Sequence, residues 1–199
     1  MITKFKLFEG NENDLKKWIS ALSENNYVKI ESMLKKGFDV NYHFRENLKS
    51  TNSLFYALFY ESYDVVKILI KYGIDLEEID PTNNTYILST LIIKNYITTT
   101  KCCKETQMRQ IFNIFKNLIN TVDINKQDLE GYTSLMRAAS YQQNHFIYLL
   151  IKAGADWNIK NNDGKDFMDI IGNWSGLIKK FPDQYKEYLK KKTIKKFKI

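Results

Sequence analysis

The side chains able to do chemistry are few and scattered. Two histidines, His43 and His145, and two adjacent cysteines, Cys102 and Cys103, are all the imidazole and thiol in the 199-residue chain. Adjacent cysteines build no disulfide framework, and these four residues lack the spacing of a Cys/His zinc site. As vicinal thiols they could form a redox switch, but two reduced thiols in a loop is the simpler expectation. His145, at the start of a helix, reads as a solvated or capping residue. Asp156-Trp-Asn-Ile-Lys160 opens like a calcium loop, yet Lys160, Asn161 and Phe167 occupy the places of a ligand, the glycine and the bidentate glutamate. Glu77, Glu78 and Asp80 crowd one turn. Paired carboxylates act as acid and base only in a cleft that raises one pKa, and a turn supplies none. No Gly-x-Gly-x-x-Gly, phosphate loop, His-Glu-x-x-His or Gly-x-Ser-x-Gly occurs. The expectation is a protein without catalytic residues, metal or cofactor.

Charge offers the next chemistry. The formal net charge is +7, and nine lysines against Asp183 and Glu187 within residues 179–199 supply all of it. The rest is neutral, a body with a basic tail. The tail residues Lys190, Lys191, Lys192, Lys195, Lys196 and Lys198 could meet nucleic acid or an anionic membrane. The simpler expectation is a solubilising end, because lysines late in a helix complement its dipole. Interleaved aromatics are sparse there (Tyr185, Tyr188, Phe197), which weakens the nucleic-acid alternative. Only Arg45, Arg109 and Arg137 among 30 basic residues are arginine, a bias that AT-rich codons produce. Apolar residues make up 44% and aromatics 14%, enough for a packed core. No apolar run reaches the roughly 18 residues of a membrane span, and the first residues lack the apolar stretch of a secretory signal. A cytoplasmic protein is expected.

Four segments repeat one pattern: 28–41, 65–77, 114–125 and 146–158. Each has apolar residues at helical spacing followed by an exit of the form Gly-x-Asp-apolar-Asn/Glu. The exit aspartates are Asp39, Asp75, Asp123 and Asp156. Gly37, Gly73 and Gly154 suit the left-handed residue that closes a helix, and Asn120 or Thr121 takes that task in the third copy. Ten residues after each aspartate, thirteen in the first copy, Asn52, Thr85, Thr133 and Asp166 stand as N-caps of a second kind of helix.

These residues resemble the ankyrin repeat, most closely over Asp128-Leu-Glu-Gly-Tyr-Thr-Ser-Leu-Met-Arg-Ala-Ala139 and Leu149-Leu-Ile-Lys-Ala-Gly-Ala-Asp156. The resemblance implies an all-α solenoid of stacked helix-turn-helix units with β-turn fingers, as a single domain over 1–199. Units fall at about 11–43, 44–80, 81–128, 129–161 and 162–199, the first and last acting as caps. The first lacks its finger and the last ends in a basic helix over 183–199. Ser53, Tyr86, Ser134 and Phe167 replace the family's proline; Phe55, Leu88, Met136 and Asp169 replace its histidine. Apolar packing should therefore join the units more than polar networks do. An insertion at about 95–109 should form a loop or a helix extension.

By the same resemblance the chain is a protein-protein interaction module, monomeric alone, whose concave face masks or recruits a partner. Two settings fit: a toxin-neutralising immunity protein or a host-targeting effector. The contact residues carried over are Phe59, Tyr60, Tyr132, Arg137, Tyr141 and Trp174, with Glu130 and Lys165 on the fingers. Tyr, Trp and Arg are the types that most often dominate a buried interface. The alternative is an adaptor to nucleic acid or anionic membrane through the tail.

Overall fold

The structure, a computed structural model, describes residues 12–46, 49–100, 105–172 and 175–196. Helices α1 (Glu12–Ser23) and α2 (Tyr27–Lys35) lead into strands β1 (His43–Glu46) and β2 (Lys49–Asn52). Pairs follow: α3 (Ser53–Phe59) with α4 (Tyr63–Lys71), α5 (Ile87–Thr100) with α6 (Glu105–Leu118), and α7 (Ser134–Ser140) with α8 (Asn144–Lys152). The chain continues through α9 (Phe167–Ile171), α10 (Ser175–Lys180) and α11 (Pro182–Lys196). Helices α1, α3, α5, α7 and α9 form an inner row, and α2, α4, α6 and α8 an outer one. The architecture is the expected all-α solenoid, with one antiparallel hairpin pairing His43 with Asn52. A single apolar core threads the stack, from Trp18 and Leu22 through Leu58, Leu91 and Phe115 to Phe146 and Phe167.

Each exit is built locally. Gly37, Gly73 and Gly154 have φ of +91°, +80° and +90°. The N–H groups of Phe38, Ile74 and Ala155 then reach back to Met33, Leu69 and Leu150, the Schellman pattern. The third copy manages without a left-handed residue: Thr121 donates both its N–H (2.8 Å) and its hydroxyl (2.9 Å) to the Leu118 carbonyl. Each exit aspartate accepts the N–H two residues on, at Asn41, Glu77, Asn125 and Asn158. Asn41 and Asn125 then accept the N–H of Asp75 and Asp156 in the next copy, at 2.7 and 2.8 Å. Where Glu77 replaces that asparagine, an ion pair to Lys126 makes the link instead.

Asn52, Thr133 and Asp166 cap α3, α7 and α9 through Phe55, Met136 and Asp169 N–H groups, and Asp169 completes a capping box. Thr85 departs from expectation. Helix α5 starts two residues later, and the Thr85 hydroxyl lies 2.9 Å from that of Thr90 inside the turn. The described parts of the insertion are helix: α5 and α6 each have 14 residues, whereas α3 and α7 have 7 and α4 and α8 have 9. Residues 101–104, with Cys102 and Cys103, lie outside the described residues.

The units are joined by apolar packing and by a few buried polar bonds. Trp18 Nε1 donates to Ser53 Oγ (2.9 Å), and the Ser89 and Ser134 hydroxyls meet at 3.2 Å. Asn25, at φ +53°, accepts the N–H groups of Asp64 and Val65 and so caps α4 from the neighbouring unit. Its amide also donates to the Asp64 carboxylate (3.1 Å). The hydrogen bond from Lys67 holds the Asp64 carboxyl below its ordinary pKa; burial opposes it, and the Asn25 amide adds a further lowering. Asn25→Ala should cost about 1–2 kcal/mol through the lost cap and the strained φ. Asn25→Gly, which removes only the cap, should cost less. Urea denaturation ranks the two, and equal losses would deny the strain.

Candidate protein-binding surface

The fingers are held by one repeated device that lies five residues after each exit aspartate. Asp80, Asp128 and Asn161 are buried there, and each side chain folds its own turn. Asp80 Oδ1 accepts Thr82 N–H (2.8 Å); Asp128 Oδ1 accepts Glu130 (3.0 Å) and Tyr132 (2.9 Å); Asn161 Oδ1 accepts Asp163 (3.1 Å) and Lys165 (2.9 Å). The first copy has Phe44 at that place, packed edge-on to Tyr56 at 5.0 Å, and forms the β1–β2 hairpin.

Arg137 braces the third of these fingers. Its Nη2 lies 2.6 Å from Asp128 Oδ2 and 2.9 Å from Glu130 Oε2, while its Nε donates to Asp128 at 2.7 Å. The guanidinium also covers the Tyr132 ring at 4.3 Å. Burial opposes its charge, but the bonds to Asp128 and Glu130 outweigh burial and hold its pKa above the ordinary value. With side chains only 12% and 1% exposed, Arg137 and Asp128 form an internal clamp. Glu130 is left exposed at the tip, and Lys165 is exposed on the next finger.

The inner row is looser between α3 and α5 than at its other three pairings. Interaxial distance follows the side chains at the contact. Small Ser53, Ala57, Ser89, Ser134 and Ala138 are buried elsewhere along the inner row, whereas Phe55, Leu58 and Ile93 face the α3–α5 gap. The gap is a cavity of about 300 Å³ whose mouth carries Phe59, Ile97, Lys94 and Glu61. Phe59 is 62% exposed and its ring meets Tyr60 (42% exposed) at 5.1 Å. Lys94 Nζ sits 5.7 Å above the Phe59 ring and donates to the Phe59 carbonyl (3.2 Å). The seven further residues of α5 extend it about 10 Å past α3 and α7, at 1.5 Å per residue. That overhang presents Ile97 beside the groove and Tyr96 against Tyr141 at 4.7 Å.

Of the contact residues expected from sequence, the structure therefore brings together Phe59 and Tyr60, and separately Tyr132, Arg137 and Glu130. It sets Tyr141 against Tyr96. Trp174 lies outside the described residues, as do Lys198 and the side chains of Lys192, Lys195 and Lys196. Lys190 is exposed on α11, and Lys191 lies 3.4 Å from Glu187 and 3.8 Å from Asp156. Sequence reasoning missed Tyr96 and Ile97 because it set 95–109 apart as an insertion, and passed over Lys94 just before it. The signal was there: Leu91, Asn95 and Thr98 carry the helical spacing past the point where the sister helices stop.

The remaining chemical groups are committed elsewhere. Glu78 accepts His43 Nε2 (2.8 Å) and Asn52 Nδ2 (2.6 Å), Glu77 pairs with Lys126, and Asp156 accepts from both nitrogens of Asn158. Among the described residues no three His, Cys, Asp or Glu side chains form a metal-binding group, and no helix is long and apolar enough to cross a membrane.

Stacked helix pairs whose turns project as side-chain-braced fingers make a repeat scaffold of the ankyrin class. Residues 118–170, from the end of α6 into α9, match the sequence model of the family described as ankyrin repeats (many copies). Over that stretch the chain carries ankyrin repeats. Such repeats generally mediate protein-protein interactions and are typically non-enzymatic.

Proposed function

We propose that this chain acts by binding another protein across the ends of its inner helices, with the α3–α5 groove at the centre. One observation carries the reading: Phe59, Tyr60, Tyr96 and Ile97, four of the nine exposed large hydrophobics among the described residues, gather around that groove and the α5 overhang. Single exposed apolar residues are ordinary, but a cluster beside a concave groove marks an interaction site. Masking or recruitment follows from occupancy alone, so both an immunity protein and a host-targeting effector would use this surface.

Phe59→Ser/Ile97→Ser removes the exposed apolar rim while touching no fully buried side chain. It should weaken partner binding by more than about 2 kcal/mol, roughly thirtyfold, with helical circular dichroism unchanged. The check is a tagged pull-down from the source organism or its host. A stoichiometric protein captured by wild type and lost in the variant supports the reading; equal capture by both removes the groove from it. Tyr141→Ala, one unit along, reads whether the Tyr96–Tyr141 pair belongs to the same footprint.

A further inference from the structure

At the C-terminal end of the outer row, two lysines crowd one aromatic ring. Lys152 Nζ lies 5.2 Å and Lys180 Nζ 5.6 Å from the centre of Tyr148, an exposed ring that leans on Phe181 at 5.4 Å. Among the described residues no carboxylate pairs with Lys152, Lys179 or Lys180. The other end of the row is different. Lys35 and Lys71 occupy the same place in α2 and α4 and meet Glu31 at 3.9 and 2.9 Å, and Lys67 meets Asp64 at 2.8 Å.

Complementing the helix dipole explains a lysine in the last turn of each outer helix. It does not explain why Lys152, in the last turn of α8, lacks the acidic partner that Lys35 and Lys71 have on α2 and α4. The exposed face of α8 offers Asn144, His145, Tyr148 and Lys152, and α10 ends on Lys179 and Lys180. On α11 Lys190 extends the positive surface, and Lys186 does so from beside Asp183, 3.9 Å away. Ammonium groups that outnumber the carboxylates around them favour an anionic partner.

The side-chain types select among such partners. No arginine follows Arg137, so the planar fork that grips single phosphates and base edges is missing from this end. Nor, among the described residues of this end, is there a row of exposed rings for bases to stack on. A cluster of lysines is a set of hydrated point charges, suited to the diffuse field of an anionic bilayer. One amphipathic ring among them, Tyr148, belongs at headgroup depth. We propose that Lys152, Lys179 and Lys180 around Tyr148, continued by Lys186 and Lys190, dock on an anionic lipid surface electrostatically and without helix insertion. This face belongs to the outer row and the last helices, so it is independent of the inner-row groove.

The test is co-sedimentation of the full chain with vesicles of phosphatidylcholine alone or mixed with phosphatidylserine. Binding should require phosphatidylserine and fall at least about tenfold from low to high salt. Lys152→Glu/Lys180→Glu should abolish it. Lys35→Glu/Lys67→Glu makes the same change in net charge at the paired end and should leave most of it. Circular dichroism confirms the fold of both, and Lys152→Gln/Lys180→Gln serves if the charge reversal unfolds. No binding at low salt, equal binding to phosphatidylcholine alone, or equal loss in the two double variants would overturn the proposal. So would displacement from the vesicles by duplex DNA at lower concentration than by added phosphatidylserine vesicles, which would make the surface a nucleic-acid one.

Discussion

Gly131→Ala is expected to destabilise the protein by about 3 kcal/mol, the sum of left-handed strain and a backbone clash. Gly131 has φ +77°, and a Cβ there would stand 2.5 Å from Asn162 Oδ1, 2.6 Å from Asn162 N and 3.0 Å from Asn161 C. The neighbouring finger cannot simply swing aside. Asn162 N–H donates to Glu130 O (3.1 Å) and its amide to Leu129 O (3.0 Å), so relieving the clash breaks the bonds that hold the two fingers edge to edge. Gly164→Ala is the matched control: φ is +76° there but nothing lies within 4 Å of the added Cβ. Strain alone should cost that variant about 1 kcal/mol. Urea denaturation of the pair separates the two causes. Equal losses would mean that the close approach of the fingers carries no energy.

The second large effect lies at the other end of the array. Trp18 is fully buried, stacks on Phe38 at 4.1 Å with the planes 15° apart, and bonds Ser53 across the first unit boundary. Trp18→Ala should cost about 4 kcal/mol, the transfer term plus the cavity left behind. Where that cost appears matters more than its size. In a stack each unit touches only its neighbours, so the loss should fall on α1 and α2 before it reaches α7 and α8. Hydrogen exchange should show protection lost first in residues 12–35, with the core of α7 and α8 retained. Protection lost uniformly would mean that the array opens as one unit. Trp18→Phe keeps the stack and orphans the Ser53 hydroxyl, and should cost about 1 kcal/mol.

Legibility followed range. The exits and three of the four N-caps were readable in sequence because a glycine, an aspartate or a cap side chain satisfies backbone groups within a few residues. Gly37, Gly73, Gly154, Asn52, Thr133 and Asp166 all behave as their types dictate. Thr85 does not. Thr90 lies within reach of its hydroxyl and Asp80 closes the same turn, so a local competitor won over the cap. The repeat itself was legible for the same reason, because periodic apolar residues and periodic exits are both local signals.

The candidate surface was legible only in outline. Tyr60 and Phe59 could be placed at a helix end, but the groove beside them exists because bulky Phe55 and Leu58 hold α3 away from α5, a balance of volumes across two units. Arg137 looked available as an interface anchor. Tertiary structure gives its guanidinium to Asp128 and Glu130 instead, because burying Asp128 to shape the finger leaves a carboxylate that needs a cation. The sequence by itself determined which backbone groups are satisfied, and by which side chain, wherever donor and acceptor lie within one turn. Only the stacked structure decided which exposed side chains remain unspent, since their competitors lie a whole repeat away along the chain.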